Sequence, residues 1–256
     1  MGRFASTVDF YSRCREPYPA TFFTAAATQL ALRGSESLLD VGCGPGVLTL
    51  GFAPFVRRAI GLDPEPAMLD AAKRAAAATD LPVSFLLGRI EEFTAADAFA
   101  VVTIGRALHW LDRNATLPVL ERIVSNSGRI LTCGAFSVEH PTAPWVKTYD
   151  DVRDSYVSAT EKANEACYRI DPLEWFAGSR FEQADAVEVA ETREVAISDL
   201  VGRALSKSNT SPEKLGARRS AFEADIAATL EPFAHDGVLQ EQIVARATIF
   251  ARSVRP

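Results

Sequence analysis

Apolar and polar positions in the first half of the chain alternate between two rhythms. Short apolar runs at Ser37–Val41, Val56–Leu62, Val83–Leu87, Ala98–Ile104 and Gly128–Phe136 predict strands. Between them lie segments of helical character: Phe22–Leu32, stopped by Gly34, then Val47–Phe55, Ala67–Ala78 and Leu117–Val124. The third of these helices has a start signal at Asp63-Pro64-Glu65-Pro66, because Asp caps free N–H groups and Pro suits a first helical turn. Strands separated by helices predict parallel βαβ units and an α/β fold with a doubly wound sheet, whose ligands bind outside the carboxyl ends of the strands. Beyond Phe136 the rhythm weakens. Pro141, Pro144 and Pro172 interrupt a segment carrying Trp145, Tyr149, Tyr156, Tyr168, Trp175 and Phe176, which reads as an aromatic lid. Ala184–Val195 and Gln242–Phe250 then predict two further strands around the mainly helical Ile197–Leu230, making seven strands in all.

Composition narrows the classes. A chain of 256 residues can bury one sizeable core, and 48% hydrophobic with 23% charged residues is ordinary for a folded, water-soluble protein. The net charge of −6 repels phosphate backbones, so no nucleic-acid partner is expected. Cys14, Cys43, Cys133 and Cys167 show no C-x-x-C spacing, so no metal site and no disulfide framework is expected, and a reducing cytoplasm fits best. No apolar run reaches the length of a membrane helix, and no membrane partner is expected.

The strongest local signal is Leu38-Leu-Asp-Val-Gly-Cys-Gly-Pro-Gly46 at the end of the first predicted strand. Gly42, Gly44 and Gly46 let the backbone turn sharply and come close to a ligand. The following helix aims its first N–H groups at the same place, which suits a carboxylate or a phosphate equally. A dinucleotide fingerprint starting at Gly42 wants Gly or Ala at position 47, where Val47 stands, so the pattern favours a cofactor without pyrophosphate. Asp63 ends the second strand some twenty residues on, where a carboxylate accepts both ribose hydroxyl hydrogen bonds; it also suits a helix cap. Met68, on the next helix, is a candidate for the adenine face or for the core.

Leu38–Gly46, Ile60-Gly-Leu-Asp-Pro64, Gly88-Arg-Ile-Glu-Glu-Phe93 and Ala107-Leu-His-Trp110 resemble, in order and spacing, the motifs of class I S-adenosylmethionine-dependent methyltransferases. Tyr11-Ser-Arg13 and Tyr18-Pro19 extend the resemblance to the small-molecule branch that includes trans-aconitate methyltransferase-like proteins. The resemblance covers residues 8–136. It implies a Rossmann-like methyltransferase fold and S-adenosyl-L-methionine as cofactor, leaving S-adenosyl-L-homocysteine. Asp40, Gly42, Cys43, Gly44 and Gly46 would surround the methionine part, with Cys43 as small packing inside the loop, and Asp63 with Pro64 the ribose. Arg89, Ile90 and Glu91 would edge the adenine, beside Met68. Many relatives have Asp where Arg89 stands; Arg89 cannot accept from the adenine amino group, which leaves Glu91 as a candidate acceptor. Tyr11 and Arg13 would close over the donor, the guanidinium facing its carboxylate. Gly105 and Arg106 would complete the donor edge, with Arg106 either pairing with an anionic acceptor or facing solvent.

His109 is the candidate general base, since imidazole takes a proton near working pH, and Trp110, Trp145 and Tyr149 are candidates for the acceptor pocket beside it. The expected organisation is one methyltransferase domain over 1–256: an N-terminal helical lid (1–35), a donor-binding core (36–136), an acceptor-side cap (137–180), and C-terminal strands and helices completing the sheet (181–256). The expected activity is O-methylation of a carboxylate or hydroxyl on a small organic metabolite. Two alternatives share the motifs: an NAD(P)-dependent oxidoreductase, which Val47 disfavours, and a non-catalytic S-adenosylmethionine binder.

Overall fold

A computed structural model describes residues 8–162 and 170–253. Tyr168 and Cys167, considered above, lie outside the described residues. Among the described residues, seven strands form one sheet: β1 (Ser37–Val41), β2 (Arg58–Asp63), β3 (Val83–Leu87), β4 (Phe99–Gly105), β5 (Val124–Ser137), β6 (Phe181–Ala196) and β7 (Val238–Arg252). Their spatial order is β3-β2-β1-β4-β5-β7-β6. The pairs β1–β2, β1–β4, β2–β3 and β4–β5 are parallel. The order reverses at β1, so β2 and β4 lie on either side of it and a crevice opens above its carboxyl end.

The central strand explains its own sequence. All five residues of β1 are buried, which is why it reads as a continuous apolar run with Asp40 as the exception. The opposite case is β3 at the edge of the sheet, where Leu87 remains 65% exposed.

Several boundaries shift, each for a local reason. The third helix (α3, Val47–Phe52) passes into a tight turn at Ala53–Phe55 containing Pro54, so β2 starts at Arg58 and not at Val56. Helix α4 (Pro66–Ala76) begins one residue before the expected Ala67, with Glu65 at its N-cap position, and Asp63 stays in the strand. The next helix (α5, Arg113–Ile123) starts earlier than its apolar pattern because the Asp112 carboxylate accepts from the N–H groups of Asn114 and Ala115. Before the sheet, α1 (Val8–Cys14) and α2 (Ala20–Gln29) occupy the N-terminal region.

The described residues fall into two compact units. One contains those within 18–134, 168–189 and 245–256; the other contains those within 1–17, 135–167 and 190–244. The first unit has a core of Leu39, Val41, Ile104, Leu120 and Ile130, joined by Trp175, Phe176 and Phe250. The second has a core of Trp145, Tyr149, Leu200, Phe222, Ile226 and Leu230. The aromatic lid expected over 137–180 therefore takes another form. Its large rings are buried as packing: Trp145 and Tyr149 are 1% and 5% exposed in one core, Trp175 and Phe176 are 5% and 2% exposed in the other. Rings of that size contribute most when they leave water completely.

The second unit also buries an ion pair. Arg203, from the helix Ile197–Leu205, forks onto both carboxylate oxygens of Glu241 on β7; its Nε donates to Cys14 O at 2.8 Å, and Nη1 donates to Ser137 Oγ at 2.9 Å. Both side chains are essentially inaccessible; Arg193 Nε also lies 3.2 Å from Glu241 Oε2, whereas the Arg203 charge depends on Glu241. Replacing one partner should cost far more than replacing both. Arg203→Met should lower the urea-unfolding free energy by about 3–5 kcal/mol, and adding Glu241→Leu should restore a large part of it; equal or additive losses would contradict this account.

Candidate functional site

The turn leaving β1 is shaped by groups that come from three strands. Gly42 and Cys43 donate their backbone N–H groups to Leu62 O at 2.8 and 3.1 Å, which ties the turn to the end of β2. Gly42 has φ +66°, and a Cβ there would stand 2.6 Å from the Ala107 Cβ, so both the dihedral and the close approach require glycine. Gly44, at φ +53°, is different: a Cβ there would meet only the Met68 Sδ, at 4.0 Å. That side of the loop is open space bounded by a buried thioether. Val47, which starts α3 next to it, is 40% exposed despite being apolar.

Two carboxylates hold this turn. Asp40 points inward at 1% exposure: Oδ2 accepts from Thr49 N at 3.0 Å and Thr49 Oγ1 at 2.7 Å, and Oδ1 accepts from Thr103 Oγ1 at 2.8 Å. It clamps β1 to α3 and β4. Both its oxygens serve protein donors, so it acts on the loop from behind and is no surface for a ligand. Burial raises its pKa from 3.8 to about 6, against the lowering effect of the three hydrogen bonds.

Asp63 faces the loop from β2. Its Oδ2 accepts from Gly44 N and its Oδ1 from Glu65 N, both at 2.8 Å. Burial, the largest influence, raises its pKa, while these two bonds lower it. A carboxylate has about four lone-pair sites, and two backbone bonds leave one on each oxygen for further donors. The N-cap position of α4 falls on Glu65, whose side chain makes no capping bond, and the Asp63 carboxylate serves the chain entering that helix through Glu65 N.

The remaining predicted residues are distributed unequally. Pro64 and the 4%-exposed Met68 follow Asp63 directly, and Gly88 N donates to Asp63 O at 3.1 Å, bringing Arg89, Ile90 and Glu91 to the same end of β2. Ile90 is buried. The Glu91 carboxylate, instead of standing free, lies 3.4 Å from Arg89 Nε and accepts from Asp112 N at 3.2 Å. Gly105 ends β4, where a Cβ would collide with Leu48 at 2.4 Å. Arg106 follows it with its guanidinium carbon 5.0 Å from the centre of the Tyr18 ring. His109 and Trp110 form a short turn after it, half-exposed, with ring centres 4.5 Å apart.

Four predicted residues belong to the second unit. Tyr11 and Arg13 lie on α1; Arg13 is exposed, and Tyr11 has the Arg15 guanidinium 4.7 Å above its ring. Trp145 and Tyr149 are corrected from pocket wall to core. The indole N–H donates to Gln240 O at 2.8 Å and the phenol donates to Leu200 O at 2.9 Å, so their polar atoms are spent on buried backbone. Cys43 is buried between Asp40 and Asp63, and its thiol pKa is driven strongly upward by burial first and by both carboxylates. It packs and does not react. Among the described residues a cavity of ≈ 890 Å³ occurs at the other ends of the strands, beside Leu173, Phe181 and Arg252, and contains none of these groups.

Thr49 and Thr103 support the turn and are neighbours that pattern reading missed. Thr103 had a signal: it is the one polar residue in the apolar run Ala100-Val-Val-Thr-Ile104.

Residues 38–128 match the family model of a methyltransferase domain. That stretch, which carries the glycine turn and Asp63, is similar to methyltransferase domains. The chain is 35% identical over 115 residues to an uncharacterized methyltransferase of Schizosaccharomyces pombe, covering 42% of this chain and 44% of that protein. It is 32% identical over 129 residues to an uncharacterized methyltransferase of Mycobacterium tuberculosis, covering 50% of this chain and 49% of the other. The chain thus spans about half the length of the curated relatives it matches. The methyltransferase fold extends further. A protein of Anaeromyxobacter dehalogenans assigned as a type II methyltransferase superposes with a TM-score of 0.68 at 19% identity, over 93% of this chain and 97% of that one.

The Asp40 clamp makes a testable statement about pH. Folding raises this pKa from 3.8 to about 6, so the native state holds the proton more tightly between those values. The group's contribution is fully present below the unfolded pKa and is lost as pH rises through the folded one. Asp40→Asn should abolish a pH-dependent component of about 3 kcal/mol in urea unfolding between about pH 4 and pH 6, whatever its effect on absolute stability. An unchanged pH profile would refute the buried, proton-retaining clamp.

Proposed function

We propose that this protein binds S-adenosyl-L-methionine above β1 and transfers its methyl group to oxygen on a small organic metabolite, a carboxylate or a hydroxyl. The observation that carries the reading is the Asp63 carboxylate, bonded to the glycine loop through Gly44 N and keeping lone pairs on both oxygens. That is the arrangement a vicinal pair of ribose hydroxyls requires. The open side of Gly44 gives room for the methionine part, with Gly42, Cys43 and Gly46 around it, and Met68 closes that space. Ile90 offers its main chain to the adenine, and the Arg89–Glu91 pair lines the outer edge.

When bound, the donor supplies a methyl group already activated by its sulfonium. The protein is left with alignment, holding the accepting oxygen about 3 Å from the methyl carbon. His109, at the carboxyl end of β4 against Trp110, would take a proton only from a hydroxyl acceptor; a carboxylate brings none. Trp110 contributes apolar wall beside it. The His109-Trp110 and Tyr18-Pro19 segments support the small-molecule branch of the family. A related fold from Thiobacillus denitrificans, 14% identical with a TM-score of 0.55 over 99% of both chains, is described in complex with S-adenosyl-L-homocysteine.

Calorimetry with S-adenosyl-L-homocysteine tests the donor site. Binding is expected, and Asp63→Asn should weaken it by about 10- to 100-fold through the loss of charge-assisted hydrogen bonds. Binding of NAD in place of S-adenosyl-L-homocysteine, or an affinity indifferent to Asp63→Asn, would overturn the reading.

A further inference from the structure

The glycine turn rests on a side chain from the edge of the sheet. Phe85 of β3 is in register with Gly61 of β2, which is in register with Asp40 of β1 and, through it, with Thr103 of β4. Side chains alternate between the two faces along a strand, so the residues of one such row share a face. Phe85 therefore lies on the face that Asp40 uses to hold Thr49. Gly61 carries no side chain, and the Phe85 ring lies across it: a Cβ at position 61 would stand 2.7 Å from Phe85 Cδ1 and 2.9 Å from its Cε1. Glycine inside a strand marks a place where another group comes close, and here that group is the ring.

The far end of the ring reaches the turn itself. A Cβ at Gly46 would stand 3.0 and 3.1 Å from Phe85 Cε1 and Cζ, and 3.1 Å from the Cβ of Ala72 on α4. Cys43, three residues earlier in the turn, also sits against Gly61, where a Cβ would be 2.8 Å from its Sγ. The ring and the thiol share the space above Gly61, so the turn is seated on both. The three glycines consequently answer to different neighbours: Gly42 makes room for Ala107, Gly46 makes room for Phe85 and Ala72, and Gly44 borders open space.

Resting on the donor-site reading above, we infer that Phe85 is a positioning residue for the methionine part of the donor. Its ring fixes the backbone between Gly44 and Gly46, the stretch that borders the space closed by Met68. Phe85 acts through that backbone and makes no contact with the ligand. The nucleoside end has supports of its own: Asp63 belongs to β2, and Ile90 follows Gly88, whose N–H is fixed to Asp63 O at 3.1 Å. A turn that is loose before binding must be ordered at the expense of affinity, and the loss falls on the part of the ligand that the turn touches. Shortening the ring thus weakens the hold on one end of the donor and spares the other.

The test uses the full chain and two ligands, S-adenosyl-L-homocysteine and 5′-methylthioadenosine, which keeps the nucleoside and the thioether but has a methyl group in place of the amino-acid chain. Phe85→Leu retains the carbons that cover Gly61 and loses those that reach Gly46. In calorimetry it should weaken S-adenosyl-L-homocysteine about tenfold and 5′-methylthioadenosine less than about twofold. Phe85→Met, which keeps the reach of the ring, should stay within about threefold of wild type for both. Hydrogen exchange in the ligand-free protein reads the turn directly. The amides of Gly44, Gly46 and Leu50, which donate to Asp63 Oδ2, Cys43 O and Gly46 O, should exchange about tenfold faster in Phe85→Leu, with those of β4 unchanged. A wild-type protein that does not bind S-adenosyl-L-homocysteine defeats the donor-site reading, and exchange then still decides whether the ring holds the turn. A Phe85→Leu variant that binds S-adenosyl-L-homocysteine at wild-type strength, weakens both ligands equally or leaves the exchange of the turn unaltered defeats the assignment of Phe85. A Phe85→Met variant as weak as Phe85→Leu defeats it too.

Discussion

A single hydrogen bond, from Gly44 N to Asp63 Oδ2, joins the two halves of the site: the glycine turn that leaves β1 and the carboxylate that ends β2. Because all of β1 is paired with Arg58–Leu62 of β2, the bond closes a ladder that already brings the two strand ends together. It has two effects. The turn is held open on the side of Gly44, and the carboxylate is aimed at the same space with acceptor capacity remaining. A short bond to a buried carboxylate is stiffer than one to water, so the geometry is set before any ligand arrives.

Asp40 supports this arrangement from behind. Its three bonds to Thr49 and Thr103 fix the strand–turn–helix unit, and its raised pKa records what that placement costs in desolvation. One carboxylate faces inward to hold the backbone and the other keeps acceptor capacity beside the glycine turn, though both lie near the carboxyl ends of adjacent strands. Their environments separate the roles, since Asp40 accepts from two hydroxyls as well as from Thr49 N, while Asp63 accepts from main-chain N–H groups.

Much of this was legible in the residues. The strands β1 and β3 fall where their apolar runs stop, and the glycine spacing with Asp63 located the crevice because that chemistry is local: each group acts within a few residues of a strand end. What could not be read depends on contacts far apart in sequence. The Asp40–Thr103 bond spans 63 positions, and the stacking of Arg106 on Tyr18 joins residues from different elements. Aromatic character misled in the segment after Phe136, because Trp145 and Tyr149 have the composition of a pocket wall and the burial of a core. Only knowledge that their N–H and O–H groups reach Gln240 and Leu200 carbonyls distinguishes the two. The start of α4 was legible: Pro66, the second of two prolines, occupies the first helical position and leaves Asp63 in the strand.

The central claim is that the Asp63 carboxylate grips the sugar of an amino-acid-bearing nucleoside. A double-mutant cycle measures this directly, comparing the affinities of S-adenosyl-L-homocysteine and its 2′-deoxy analogue for wild-type protein and for Asp63→Asn. If the carboxylate and the hydroxyl are partners, deleting the hydroxyl should weaken binding to the wild type and have little further effect on the variant. Losses that simply add would mean that the two groups do not meet, and the account would be wrong at its foundation.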